Sequence, residues 1–401
     1  MKKILVFLMS FIFGITHAQS FVETINSEKL SAPREVKITL PQYYEQDTKK
    51  NYPILIILDG GYLSSSFTGV LEYGNFWDDL PEMIVVAINQ NGEQRFIDSE
   101  YDEEKGIPLG EGSAFFEFIG MELIPYIEKK YRTQPFRVIA GHDTTAGFLN
   151  FYLYKDDPVF NGYISLAPEL APEMETRIPN RLAVISKTIM YYQASGEGDI
   201  EELRNRANTL DQNIKNISNK NLRYQYDDFK KATHYSLVPQ AIPQALYFIF
   251  DGYQPISMVE YQEKIAPLNS GFTQYLIDRY THLEEKLGLK VKPRLTDFKA
   301  IEAAILKNKK YDELLELSKY AEKNYPKTTL SVFHEALYLE KTKQYKKAMK
   351  TYKHAFTREP IRELTLEYMI DRSEAIKNLQ DEAAEEPEKT EEEKTEDKGE
   401  E

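Results

Sequence analysis

The chain has 401 residues, no cysteine and a formal charge of −14 at neutral pH. Without cysteine there is no disulfide framework, no thiolate chemistry, no Cys-ligated metal and no cysteine to carry a lipid after a signal. The length suits one large domain and a smaller one, and the sign of the charge disfavours nucleic-acid binding.

In chain order, the first stretch reads as a targeting segment. Lys2 and Lys3 form a basic start, residues 4–15 are an apolar run too short to span a bilayer, and Thr16-His17-Ala18 is a small-residue cleavage site. The expectation is a signal peptide over residues 1–18 and export to the periplasm, free or with an outer-membrane complex. No later stretch is apolar enough over sufficient length to span a membrane. From residue 21 strands and helices alternate. Residues 35–40 alternate like an edge strand and end at Pro41, whereas 52–58 and 83–89 are continuous apolar runs, as in strands covered on both faces. Residues 115–130 predict a helix with Phe115, Phe118, Ile119, Leu123, Ile124 and Ile127 on one face.

Next comes a buried strand that runs straight into a helix. Val138, Ile139 and Ala140 are apolar, Gly141 permits a tight turn, and from Thr144 onward Phe148, Phe151 and Tyr152 recur at core spacing. This is the shape of a nucleophile elbow, in which Gly-x-nucleophile-x-Gly holds the nucleophile exposed at a helix N-terminus beside oxyanion-hole amides. Here the frame is Gly141-His142-Asp143-Thr144-Thr145, with Asp at the nucleophile position and Thr for the second Gly. Strands follow at 162–166, 189–194 and 222–226, with helices over about 200–217 and 239–250. The alternation predicts an α/β domain over residues 19–255 with a mostly parallel sheet covered by helices, and ligands at the carboxyl ends of its strands. Asp59-Gly60-Gly61, Asn89-Gln90-Asn91, Asp143, Ser195 to Asp199 and the His234 loop fall at such ends.

Several blocks carry a resemblance: Leu58-Asp59-Gly60, the run from Glu122 to Thr133, Ile139-Ala140-Gly141-His142, and Thr233-His234-Tyr235-Ser236 followed by Ala245 to Tyr253. In this order they resemble the putative esterase (esterase D-like) family of α/β-hydrolases, with feruloyl and enterochelin esterases among its members. The resemblance covers residues 32–253 and implies an α/β-hydrolase fold, a serine-esterase ancestry and no cofactor. It carries the nucleophile position onto Asp143, the base onto His234, the acid onto Glu197 or Asp199, and the oxyanion amides onto Thr144, Gly60 and Gly61. A carboxylate that attacks an ester carbonyl would form an anhydride, a poor route to hydrolysis. The favoured reading is therefore a pseudoenzyme, its Asp143 stabilised by the helix dipole and paired with His234. The alternative is an active hydrolase of ester, epoxide or haloalkane class, in which Asp143 attacks an sp3 carbon as in haloalkane dehalogenases and epoxide hydrolases. Thr144 stands where dehalogenases usually place Trp. Thr144 or Thr145 would be the nucleophile only in a shifted elbow, and His142 is expected to be packed. No histidine pairs with another at metal-ligand spacing, and Asp156 and Asp157 read as loop acids, so no metal site is expected.

Residues 256–296 read as a helical linker. Beyond it Tyr311, Ala321 and Pro326 recur as Tyr345, Ala355 and Pro360, each displaced by 34 residues. That period, with helix–turn–helix units over 300–325 and 332–357, points to tetratricopeptide-like repeats over 297–380, with Ala303, Ala321, Ala336, Ala348 and Ala355 at close helix contacts and 362–379 as a capping helix. A stack of this kind offers a groove to an envelope protein partner. Residues 381–401 hold twelve acids against three lysines, almost no apolar residues, and are expected to be a disordered acidic tail.

Overall fold

The computed structural model describes residues 20–378; the expected signal peptide and acidic tail lie outside them. The chain divides into two compact units, one reaching Tyr253 and including Lys286–Leu289, the other made of Gln254–Glu285 and the residues from Lys290 onward.

The first unit is an eight-stranded sheet of order β1-β2-β4-β3-β5-β6-β7-β8. Its strands are β1 (Ser20–Ser27), β2 (Ala32–Thr39), β3 (Tyr52–Ile57), β4 (Ile84–Ile88), β5 (Thr133–His142), β6 (Gly162–Leu166), β7 (Ile189–Gly198) and β8 (Leu222–Thr233). β2 runs antiparallel to β1 and to β4, and every pair from β4 across to β8 is parallel. Every residue of β3, β4 and β6 is buried, which is why those segments lack polar alternation. The segment at 35–40 is not an edge, because β1 pairs along its outer side.

Helices α1 (Gly60–Phe76), α2 (Gln94–Asp98), α3 (Gly110–Glu117), α4 (Ile124–Lys130), α5 (Thr144–Phe148), α6 (Met174–Val184), α7 (Glu201–Lys215) and α8 (Val238–Ile249) complete the unit. The helix expected over 115–130 begins five residues earlier, and a π-helical turn at Phe118–Leu123 separates α3 from α4. The helix after the elbow is short, since a 3₁₀ segment, Leu149–Tyr154, takes over from α5. The parallel register aligns the strand ends, so Asp59, Gln90, Asp143, Asp199 and His234 leave β3, β4, β5, β7 and β8 at the carboxyl edge of the sheet.

The second unit is helical: α9 (Met258–Glu260) with a π-turn at Tyr261–Ile265, α10 (Phe272–Leu287), α11 (Leu295–Lys307), α12 (Glu313–Asn324), α13 (Thr329–Lys341), α14 (Tyr345–Lys353) and a last helix over 366–378. α11–α12 and α13–α14 are two helix–turn–helix pairs. Their turns repeat the 34-residue displacement in conformation as well, with Lys309 at φ 57° and Lys343 at φ 60°. Ala321, Ala336, Ala348 and Ala355 are buried at helix contacts, but Ala303 is exposed and Ala304 takes the inner position. The capping helix starts at 366 because Ile361 and Leu364 form a bridge and Arg362 turns at φ 47°.

Candidate active site

Asp143 is the first residue past β5, with φ 63° and ψ −125°. Such a backbone is uncommon for a residue with a Cβ and persists only where its surroundings over-determine it. Here its N–H donates to the Leu166 carbonyl at 2.9 Å, and its carbonyl accepts from the amides of Gly147 and Glu169, each at 3.1 Å. Two glycines make room for the turn. A Cβ on Gly141 would stand 2.8 Å from the Thr145 backbone, and one on Gly147 would collide with the Glu169 carbonyl. The close approach in this elbow thus falls on Gly147, which frees position 145 for a side chain.

Thr145 uses that freedom. Its hydroxyl donates to Asp59 Oδ2 at 2.7 Å and accepts from the His142 amide at 3.1 Å. Asp59 is 1% exposed, sits at φ 52° two residues past the end of β3, and is gripped by Arg95, whose Nε and Nη2 donate to its two carboxylate oxygens at 3.0 Å each. Arg95 lies in α2 and continues into the elbow, donating from Nη2 to the His142 carbonyl at 3.0 Å and from Nη1 to Asp143 Oδ2 at 3.2 Å. The Asp59 amide donates to Gln90 Oε1, and Gln90 Nε2 donates to Asp98 Oδ2 at 2.8 Å. Asp98 is in turn held by both Nη atoms of Arg34. One guanidinium therefore ties the ends of β3 and β5 together, and its own helix is fixed through Asp98.

The other carboxylate oxygen of Asp143 faces His234, at 3.8 Å from Nε2, an ion-pair separation longer than a hydrogen bond. His234 Nδ1 donates to Asp199 Oδ1 at 2.7 Å. The Asp199 side chain is fully buried, Oδ1 also accepts the Ile200 amide, and Oδ2 has no partner among the described residues. Burial pulls the His234 pKa down, but the hydrogen bond and charge of Asp199, with the charge of Asp143, outweigh it and leave the imidazole above its ordinary value.

His142 lies beneath, its ring centre 4.5 Å from that of His234. Burial, and then the charge of His234, push its pKa down to about 4. As a neutral ring it donates from Nε2 to the His234 carbonyl at 3.0 Å and accepts the Tyr62 hydroxyl at Nδ1, 2.9 Å away. It is a packed residue, as its position in the frame suggested.

Of the residues singled out in the sequence, Asp143, His234 and Asp199 come together. Glu197 does not join them: it is exposed and accepts the Lys231 amide at 3.0 Å. Thr144 opens α5, and its hydroxyl donates to Glu169 Oε2 at 2.6 Å. Gly60 and Gly61 open α1 against β4, where a Cβ on Gly60 would stand 2.8 Å from Ala87 and from the Ile88 carbonyl. They line a separate cavity of about 210 Å³ with Glu35, Ser64 and Asn89, and none of Asp143, Thr144 or His234 lines it. Arg95 was missed altogether. The available signal was Asp59, an acid directly after a fully buried strand, since a carboxylate in such a place requires a partner cation. Among the described residues no group of three or more His, Asp or Glu is placed to hold a metal ion, and no helix is long and apolar enough to cross a membrane.

The sequence model of the family described as Putative esterase matches residues 27–234, just over half of the chain. The chain belongs to the putative esterase family. A crystal structure of an uncharacterised protein from Capnocytophaga ochracea is 29% identical, with a TM-score of 0.81, and the match covers 90% of this chain and 100% of that one. An IroE-like serine hydrolase from Shewanella oneidensis is 20% identical over 80% of this chain and 99% of its own, with a TM-score of 0.59. The BES protein from Bacillus cereus, also 20% identical, matches 62% of this chain and 97% of its own with a TM-score of 0.51. The last two likenesses establish a shared fold. No curated protein matches the chain.

Proposed function

We propose that this esterase-family chain is an exported, non-catalytic binding or assembly protein of the cell envelope, in which Asp143 stands at the position of the family's serine nucleophile. Its partner site is the pair of helix–turn–helix repeats, read as tetratricopeptide-like. The observation that carries the loss of catalysis is the Arg95 bridge. The guanidinium holds Asp143 Oδ2 at 3.2 Å while it is clamped bidentately on buried Asp59. A carboxylate so held is stabilised in its resting state, and attack through it would weaken a partly buried charge pair. The signal-like start at Lys2 to Ala18 supports export, and the 34-residue repeat supports partner binding.

One observation favours a second reading. The Asp199–His234 pair is complete, with His234 Nε2 turned toward Asp143 Oδ1, the arrangement that a hydrolase with an aspartate nucleophile would need to activate water against an alkyl-enzyme ester. The two readings separate on turnover of aryl esters, epoxides and haloalkanes by the purified chain beside Asp143→Ala and His234→Ala. The expected result is no turnover above what both variants share. Activity on an epoxide or haloalkane that disappears in both variants overturns the non-catalytic reading. For the partner, the expected result is that deletion from Pro293 onward abolishes co-purification with an envelope protein; an unchanged set of co-purifying proteins defeats that assignment.

A further inference from the structure

Lys341, Lys343, Lys346, Lys347, Lys350 and Lys353 crowd the end of α13, the turn after it and α14, and no acidic residue occurs anywhere from 341 to 358. All six are exposed. Lys341 pairs with Glu340, and Lys347 donates to the Gln344 side-chain oxygen at 3.0 Å. The other four have no ion pair among the described residues. Lys346, Lys350 and Lys353 recur at i, i+4 and i+7, one stripe on the side of α14 opposite the buried Ala348, Thr351 and Tyr352. Like charges at that spacing repel, so the stripe is destabilising unless an anion lies along it.

We propose that this stripe is the docking site of the chain's own C-terminal segment, residues 379–401. Three observations on the same unit support it. The first is charge: twelve acids and three lysines lie between Asp381 and Glu401, opposite in sign to the stripe. The second is where the chain leaves the last helix. That helix lies along α13 and α14, with Tyr368 against the Phe333 ring at 6.0 Å, then Arg372 paired with Glu340, then Ser373 Oγ 3.5 Å from the Met349 carbonyl. Its contacts on α13 advance from Phe333, near the start of that helix, to Glu340 at its end, so the chain runs toward the α13–α14 turn, where the lysines begin. The third is length. The nine residues of α14 rise about 14 Å, and an extended chain covers that in four or five residues at about 3.4 Å each. The segment thus reaches the whole stripe without strain. Docked there, it neutralises the stripe and keeps it from other polyanions until salt or a more strongly held anion displaces it.

The test is zero-length carbodiimide crosslinking of the full chain, mixed from isotopically heavy and light protein, at about 20 and about 500 mM salt, where the Debye length shrinks severalfold. The expected products are amide links within one chain between tail carboxyls and Lys343 to Lys353, falling at least about tenfold at high salt as screening predicts. They should vanish in the Lys346→Glu, Lys350→Glu, Lys353→Glu variant while its helical circular dichroism is unchanged. Heavy–light links in equal measure to light–light links would assign the stripe to a second copy. Links spread evenly over other lysines of the chain would mean a solvated face only. Either result overturns the proposal. A second readout does not depend on crosslinking chemistry: a labelled peptide of residues 379–401 should bind at least about tenfold more tightly to a full chain whose tail acids are changed to Gln than to the unchanged chain, by removal of the competing segment. Equal affinities also overturn it.

Discussion

The two halves of the candidate site are built to different standards. In the half made by β7 and β8, His234 and fully buried Asp199 are joined at 2.7 Å, with the acid further fixed by the Ile200 amide. In the half made by β3, β5 and α2, three groups share one charge arrangement, Asp59 and Asp143 on either side of Arg95. The first half is oriented to move a proton. The second is a structural clamp to which Asp143 adds its carboxylate, and it sits where that proton would have to come from. The difference teaches that a His–Asp pair can retain its geometry while the side chain facing it is held in an ion pair.

Breaking the clamp should have the largest effect. Arg95→Ala leaves Asp59 buried and without its cation, and should cost roughly 3–5 kcal/mol in urea unfolding, the usual cost of breaking a buried pair. A loss under about 1 kcal/mol would mean that the hydroxyls of Thr145 and Tyr62 suffice for the Asp59 carboxylate. The next effect is a gain of chemistry. In Asp143→Ser, a hydroxyl at the strained elbow would face the intact His234–Asp199 pair, and aryl-ester hydrolysis should rise about 10²-fold above Asp143→Ala, in the range of general-base assistance. His234→Ala in that background should remove the gain; a gain that persists without His234 would show that the relay is not engaged.

The two histidines sharpen the comparison through pH. His142 is buried neutral with its pKa depressed to about 4, so the unfolded chain binds the proton first. Its contribution is therefore complete above the ordinary histidine range and is lost as pH falls from 6.5 toward 4, by roughly 1.5 kcal/mol between pH 6.5 and 5. Urea unfolding across that range should be flatter in His142→Asn, although the variant is less stable at pH 7; an unchanged slope would mean that the ring is not the group that titrates. His234 has the opposite sign. Its raised pKa contributes stability that is whole below the unfolded value and is lost as pH rises through the folded one. The smallest expected effect separates the two acids. Asp199→Asn should lower the His234 titration midpoint read by NMR, whereas Glu197→Gln should leave it in place and change stability by less than about 0.5 kcal/mol, since Glu197 is exposed. A midpoint moved equally by both would undo the distinction drawn from their contacts.

Much of the sheet was legible because its strands are short apolar runs. Residues 52–58, 83–89 and 162–166 lie within a residue or two of β3, β4 and β6. α1 was hidden by its glycines at 60, 61, 69 and 74, although Leu63, Phe67 and Leu71 bury at helical spacing, and Pro179 obscured α6. β1 was missed because its few apolar residues, Phe21, Val22 and Ile25, do not fall at a period of two, and Val22 faces solvent.

By itself the sequence determined the order of the elements and the elbow at Asp143, because local apolar periodicity and turn residues are properties of neighbours along the chain, while the histidine and the acid that follow were singled out by the resemblance to the esterase family. Only the tertiary structure decided between Glu197 and Asp199, two residues apart on one strand end, and only it brought Arg95 onto Asp59 and Asp143. Pairing of charges depends on which strand ends lie side by side, and the crossover that sets β3 between β4 and β5 is a property of the whole sheet.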